Sequence, residues 1–154
     1  MALVAVPESD GVWTVPLGVA GAGAAGEGAV YLESLRALRT EPAGRRRVWI
    51  QPEDDVPHIR DRVLRVRDAV GLRPSQVSVA DSLVSATADV LGTHNLLLCS
   101  RAQANELGLS WQPIGELRLA RGFGLAAAVA DDAERLRACA VGIARCLGAE
   151  GGAG

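Results

Sequence analysis

Predicted strands and helices alternate along residues 48–147, and this alternation limits the possible folds more than any other feature. Residues 95–99 form a continuous apolar run without polar alternation, which is typical of a strand buried on both faces of a sheet. Residues 59–70 repeat apolar side chains at helical spacing and end at Gly71, a residue suited to a left-handed helix end. Such a chain is expected to form an α/β fold with a mixed, mostly parallel sheet and helices on its faces.

The flanking segments carry weaker signals. Two short strands are predicted at residues 2–6 and 12–15, the second ended by Pro16. Residues 18–30 are almost entirely Gly and Ala, a composition typical of a flexible crossover. We also expect a short helix at residues 31–38, a strand at 117–129 and a C-terminal helix that begins with a capping box of Asp131 and Glu134.

Composition excludes several classes of protein. With 49% hydrophobic residues and a net charge of −2, the chain is neither a typical disordered protein nor a typical stand-alone nucleic-acid binder. Cys99, Cys139 and Cys146 have no CxxC spacing, so we expect neither a disulfide framework nor a metal site. No apolar run reaches the roughly 20 residues of a membrane span. The first ten residues have no basic segment of the kind that begins a secretory signal. We therefore expect a cytoplasmic protein with no cofactor.

A glycine-rich motif suggests an alternative. Residues 21–26, Gly-Ala-Gly-Ala-Ala-Gly, match the G-x-G-x-x-G pattern that binds pyrophosphate in dinucleotide sites. However, Pro16 interrupts the strand that would precede the motif, and Glu27 and Gly28 follow it instead of a helix. Because a Gly/Ala run meets this pattern easily by chance, we favour a linker. A small nucleotide-binding enzyme that uses residues 21–26 is the alternative.

Several segments, taken in order, point to one known family. They are Val48-Trp49-Ile50-Gln51-Pro52-Glu53-Asp54, Pro74-x-x-Val77-x-Val79-x-x-Ser82-Leu83-Val84, Leu96-Leu97-Leu98-Cys99-Ser100 and Leu107-Gly108-Leu109-x-Trp111-x-Pro113-Ile114. With these segments the chain resembles the C-terminal part of the effector-binding domain of LysR-type transcriptional regulators. The resemblance extends in order of elements over residues 2–147 and implies a periplasmic-binding-protein-like (type 2) fold, with a ligand held between two lobes.

The resemblance also implies a domain organisation. It makes residues 31–116 one nearly complete lobe, and residues 2–17 with 117–147 an incomplete part of the other. Residues 18–30 would be the crossover between them, and residues 148–154 a disordered tail. The winged helix-turn-helix and linker helix of the family have no counterpart in the sequence. The chain is therefore expected to act in transcriptional regulation without a DNA-binding domain of its own.

The same resemblance suggests partners. The effector would be a small anionic metabolite. The chain itself would have no enzymatic activity, no direct contact with DNA and no association with a membrane. An incomplete lobe would leave sheet edges and apolar helix faces uncovered, and such surfaces drive association. We therefore expect self-association or pairing with another regulator subunit. A nonfunctional fragment is the remaining alternative.

Five residues are candidates for the ligand site. Gln51 and Glu53 follow a predicted strand, and ligands of open α/β sheets bind beyond the carboxyl ends of strands. Ser82, Leu83 and Ser100 lie where helices begin, and free N–H groups at a helix start can bind an anion. Ser82 could equally be an ordinary helix cap, we favour the cap for Ser100, and the acidic loop could be a solvated turn. We predict no catalytic residue and no metal ligand.

Overall fold

The computed structural model describes residues 2–8, 11, 13–36 and 46–149. The chain divides into two compact units, Met1–Pro16 with Ala120–Gly154, and Leu17–Leu119. The described strands are β1 (Ala2–Val6), β2 (Trp13–Gly21), β3 (Val48–Ile50), β4 (Val77–Val79), β5 (Leu96–Ser100), β6 (Ser110–Pro113) and β7 (Leu119–Ala126). The described α-helices are α1 (Pro57–Ala69), α2 (Leu83–Gly92), α3 (Arg101–Leu107), α4 (Ala130–Ala138) and α5 (Ala140–Leu147).

The Leu17–Leu119 unit contains a mixed sheet. Strand β3 lies between β4 and β5 and is parallel to both. Strand β2 runs antiparallel to β5 on one side and to β6 on the other. The strand order in this unit is therefore β6-β2-β5-β3-β4. The predicted α/β class and mixed sheet are confirmed, but the sheet of this unit is not mostly parallel. Strand β3 pairs in parallel with β4 and β5, whereas β2 pairs antiparallel with β5 and β6.

Two apolar clusters cover the faces of this sheet. Leu96 and Leu98 of β5 belong to one cluster, together with Ile59 and Val63 of α1. Leu97 and Cys99 belong to the other, which includes residues of α2 and α3. Successive side chains of a strand point to opposite faces, so a strand with helices on both sides needs apolar residues at every position. This confirms the predicted buried strand for residues 96–99, whereas Asn95 precedes β5.

Strand β2 corrects two predictions. It continues through Pro16 to Gly21, so residues 18–21 are strand and not crossover. Pro16 lies just before the residues of β2 that pair with β5 and β6, which begin at Leu17 and Gly18, so its missing N–H removes no hydrogen bond from these two pairings. Gly18 has a packing reason as well. A Cβ atom there would lie 2.3 Å from the Gln112 carbonyl oxygen and 2.7 Å from the Trp111 ring.

The helical predictions are partly correct. Helix α1 ends before Gly71, whose φ of +76° gives the expected left-handed stop. The helix predicted at residues 31–38 is instead a 3-10 helix, Leu32–Leu35, since Arg36 is already extended; residues 37 and 38 lie outside the described ranges. Short 3-10 helices also occur at Pro52–Asp54 and Pro74–Gln76.

The C-terminal helix differs from its prediction. It is divided into α4 and α5 at Cys139, whose N–H bonds the Leu136 carbonyl three residues back. The predicted Asp131–Glu134 capping box is wrong, because α4 begins after Val129 and has no side-chain cap. In the same unit, β1 pairs antiparallel with β7 from Ala2–Ala126 to Val6–Gly122. None of the residues of α4 and α5 is buried.

A polar cluster supports the amino ends of β3 and β5. The Asp89 carboxylate accepts hydrogen bonds from the Trp49 indole and the Asn95 amide, both at 2.7 Å. The Asn95 side-chain oxygen accepts from the Arg47 backbone N–H at 2.9 Å. The Asn95 and Trp49 donors lower the pKa of Asp89 from its ordinary value of 3.8. These hydrogen bonds connect α2 to β3 and β5 near the amino ends of the two strands. The helices follow the carboxyl ends of the strands, at the opposite edge of the sheet.

Asp89→Asn is expected to lower the free energy of unfolding by about 1 kcal/mol near neutral pH, because hydrogen bonds to a charged acceptor are weakened. A carboxyl group with a lowered folded pKa stabilises the fold above its unfolded pKa and loses that contribution as pH falls through the folded pKa. The difference between wild type and variant should therefore close below pH 3.8. Urea unfolding at a series of pH values measures it; a difference that persists through strong acid would contradict this role.

Candidate functional site

The carboxyl ends of three neighbouring strands meet at one edge of the sheet. Strands β4, β3 and β5 are parallel, so their ends point the same way. Gln51 directly follows β3, and Ser82 precedes α2 just after β4. Ser100 ends β5 and is the N-cap of α3. We refer to this region as the carboxyl edge; it lies entirely within the Leu17–Leu119 unit.

Gln51 is the buried centre of the carboxyl edge. Its side chain is only 1% exposed although it is polar. The Gln51 amide nitrogen donates to the Leu98 carbonyl at 2.9 Å and to the Gln103 side-chain oxygen at 3.1 Å. Its own oxygen accepts from the Gln103 amide at 3.3 Å. A buried amide must satisfy its donors and acceptor, and here β3, β5 and α3 provide the partners.

Glu53 and Ser100 join the same network. The Gln103 amide nitrogen donates to Glu53 Oε1 at 3.1 Å. The Gln103 side-chain oxygen accepts from the Ser100 backbone N–H at 3.3 Å, while Ser100 Oγ accepts from the Gln103 N–H at 3.2 Å. The structure thus brings together three of the predicted residues, Gln51, Glu53 and Ser100. The capping interpretation of Ser100 is also correct.

Ser82 and Leu83 lie at the same edge but outside this network of bonds. Ser82 is the N-cap of α2, and its Oγ accepts from the Ser85 N–H at 3.0 Å. Leu83 is the first helical residue, and its side chain packs against the second apolar cluster. The Ala80 N–H donates to the Ile50 carbonyl at 2.9 Å, which fixes the start of this segment beside the end of β3.

Sequence reasoning missed Gln103, whose side chain forms hydrogen bonds with Gln51, Ser100 and Glu53. The available signal was the spacing Ser100-x-x-Gln103, since a Ser followed three residues later by Gln is a capping box. That pattern predicts the local contact with Ser100. It does not predict the bonds to Gln51 and Glu53, which are 52 and 50 residues away.

The acidic loop before α1 has a mixed outcome. Asp54 is fully buried, and Asp55 pairs with Arg60 at 2.7 Å. Neither side chain caps α1, because the N-cap is Val56 without a side-chain hydrogen bond. The acidic loop therefore provides no aspartate cap for α1. Pro57 at the first helical position needs no N–H partner, which reduces the need for a cap.

The glycine motif lacks the context of a dinucleotide site. Gly21 ends β2, and residues 22–28 are exposed. The next helical segment among the described residues is the four-residue 3-10 helix Leu32–Leu35. A pyrophosphate site needs the N-terminus of an α-helix immediately after the glycines. The nucleotide-binding alternative is therefore not favoured.

The described residues contain neither a metal-binding cluster nor a membrane-spanning helix. No group of three or more His, Cys, Asp or Glu side chains within residues 2–8, 11, 13–36 and 46–149 could hold a metal ion. In the same ranges, no helix has the length and apolar character needed to cross a bilayer.

The chain is similar to known transcriptional regulators in sequence and in fold. No family model matches the chain. It is 61% identical over 148 residues to the HTH-type transcriptional regulator BlaA of Streptomyces cacaoi, a match that covers 96% of this chain and 45% of the relative. The chain thus spans less than half the length of that regulator.

Two solved structures have a similar fold. The CcmR regulatory domain of Synechocystis PCC6803 in complex with 2-PG matches with a TM-score of 0.54 and 15% identity, over 90% of this chain and 71% of that one. CbnR, a LysR family transcriptional regulator, matches with a TM-score of 0.50 and 16% identity, over 80% of this chain and 40% of that one. The chain is therefore similar in sequence to part of a transcriptional regulator, and its fold is similar to that of a LysR family transcriptional regulator.

Proposed function

We propose that the chain is an effector-binding module in transcriptional regulation, and that it binds a small anionic metabolite at the carboxyl edge. The hydrogen-bonded cluster of Gln51, Glu53, Ser100 and Gln103 carries this proposal. A fixed polar cluster at the carboxyl ends of parallel strands is the usual setting for a ligand in an open α/β sheet. The homologous regulator and the regulatory domain in complex with 2-PG support the same role.

The start of α2 favours an anionic group on the ligand. The first intrahelical bond is donated by Ala86 to the Ser82 carbonyl, and Ser82 Oγ accepts from Ser85. The N–H groups of Leu83 and Val84 precede these donors, in the position where helices bind carboxylates and phosphates. Glu53, which lies just after β3, would accept a hydrogen bond from a hydroxyl or ammonium group on the same ligand.

Substitutions at Leu83 test this orientation. Proline fits the first helical position and removes its N–H, while alanine keeps the N–H and removes the same side chain. Leu83→Pro should therefore bind an anionic effector about tenfold more weakly than Leu83→Ala, as expected for a lost hydrogen bond to a charged group. Calorimetric titration with 2-PG, citrate and inorganic phosphate measures this. Equal affinities of the two variants, or no binding of any of these anions, would contradict the proposal.

The proposed role includes a macromolecular partner and needs no catalysis. Strand β1 is at one end of the strand order, and its Leu3 and Val4 are 45% and 36% exposed. An apolar edge strand of this kind invites pairing with another chain. We infer that the chain works in the cytoplasm with a second copy or another regulator subunit. Light scattering should show a dimer or larger assembly; a monomer at all concentrations would contradict self-association.

A further inference from the structure

We propose that Gln103 is the positioning residue of the carboxyl edge: it links the buried Gln51 amide to the Glu53 carboxylate and holds that carboxylate in the orientation that a ligand meets. The proposal rests on the proposed function for its ligand, but its geometry belongs to the chain alone. Gln103 lies in the first turn of α3, whereas Gln51 and Glu53 lie after β3. A single side chain therefore connects two segments that the sequence keeps apart.

The hydrogen bonds of Gln103 determine which way its amide faces. Its oxygen accepts from the Ser100 N–H and the Gln51 amide, at 3.3 and 3.1 Å. Its nitrogen donates to Gln51 Oε1 and Glu53 Oε1, at 3.3 and 3.1 Å. An amide has two donor hydrogens and an oxygen that accepts two bonds, so these four contacts use its full capacity. A flipped amide would set donor against donor at Ser100 and acceptor against acceptor at Glu53.

The orientation passes from Gln103 to Gln51. These two amides donate to each other reciprocally, and the second hydrogen of the Gln51 amide is bound by the Leu98 carbonyl. Since all four polar capacities of Gln103 are used within the chain, a ligand that contacted it directly would have to break one of these bonds. The geometry therefore gives Gln103 the role of holding its neighbours rather than that of a ligand contact.

Gln103→Glu separates this role from helix capping. A glutamate three residues after a serine also forms a capping box, so the carboxylate still accepts from the Ser100 N–H. It has no hydrogens for Gln51 or Glu53, and it places a second negative charge beside the Glu53 carboxylate. If Gln103 only capped α3, this variant would behave as wild type. If Gln103 positions its neighbours, the Gln51 side chain should lose its fixed environment.

Solvent exchange of the Gln51 side-chain amide, followed by NMR on the full chain, tests the proposal without any ligand. We expect exchange to be roughly 5- to 10-fold faster in Gln103→Glu than in wild type. One oxygen of the introduced carboxylate faces the Gln51 and Glu53 side-chain oxygens, which repel it, so the acceptor of one Gln51 amide hydrogen moves away and about one ordinary hydrogen bond is lost. The double variant Glu53→Gln with Gln103→Glu restores a donor opposite an acceptor, so it should exchange more slowly than the single variant. Gln103→Met, which keeps length but no polar atoms, should resemble Gln103→Glu and serves as the second probe if that variant unfolds.

The outcomes separate this inference from the proposed function. Wild-type exchange rates in both single variants would overturn the positioning role, even if an anion binds at the carboxyl edge. Faster exchange in the single variants and recovery in the double variant would support it, even if none of the tested anions binds. In that second case only the proposed function would fail. A double variant that exchanges as fast as Gln103→Glu would also contradict the pairing of Gln103 with Glu53.

Discussion

Gly18→Ala should destabilise the protein by about 3 kcal/mol, at the upper end of the cost of overpacking a buried site. Gly18 lies in β2 between β5 and β6, where its partners are Cys99 and Pro113. The added Cβ would lie 2.3 Å from the Gln112 carbonyl oxygen and 2.7 Å from the Trp111 ring. The nearer atom belongs to the backbone of the paired strand, so no side-chain rotation can relieve the overlap.

Gly23→Ala is the matched control. A Cβ at Gly23 would meet nothing within 4 Å, and the residue lies in the exposed segment that follows β2. Its stability should stay within about 0.5 kcal/mol of wild type, as for most surface substitutions. Urea unfolding of the two variants measures the difference. If both were equally stable, the continuation of β2 beyond Pro16 would be wrong, and the crossover interpretation of residues 18–21 would stand again.

Leu98→Ala should cost about 2–5 kcal/mol, the range for removing a buried leucine side chain and leaving a cavity. Leu98 is fully buried in the central strand β5 and packs in the cluster that includes α1. Its carbonyl also accepts the Gln51 amide. A backbone shift caused by the cavity would therefore reach the carboxyl edge as well as the core.

Leu91→Ala provides the comparison for this substitution. Leu91 is 54% exposed on α2, and alanine has a favourable helix propensity. Its effect should remain within about 0.5 kcal/mol of wild type. Thermal and urea unfolding of the two variants should thus differ widely. Equal losses would show that residues 95–99 are not the core strand of the sheet.

The sequence predicted those elements whose signals are local. Residues 96–99 are apolar at every position because both faces of β5 are covered, and this pattern can be recognised without knowing the partners. Helix α1 is recognisable in the same way, from its periodicity and from Gly71 at its end. The cap at Ser82 also follows from local chemistry. In each case a few neighbouring residues are sufficient to predict the element.

The missed elements depend on contacts between distant residues. Pro16 and Gly18 lower the local tendency to form a strand, yet β2 continues because residues of β5 and β6 that are 77–95 positions away pair with it. Cys139 divides the C-terminal helix although no proline or glycine marks the site. At the carboxyl edge, the parallel pairing of β3 and β5 brings Gln51 to Gln103. Spacing alone could not reveal that partner.

An NMR shift map of the full chain tests directly whether an anionic effector binds at the carboxyl edge. The titrant is the anion that binds most tightly in the calorimetric series, compared with NAD under the same conditions. We expect saturable shifts at the carboxyl edge on addition of the anion, and no response of residues 21–28 to NAD. The shifted residues should be Gln51, Glu53, Ser82, Leu83 and Ser100. Saturable shifts at residues 21–28 with NAD, and none at the carboxyl edge with the anion, would contradict this expectation.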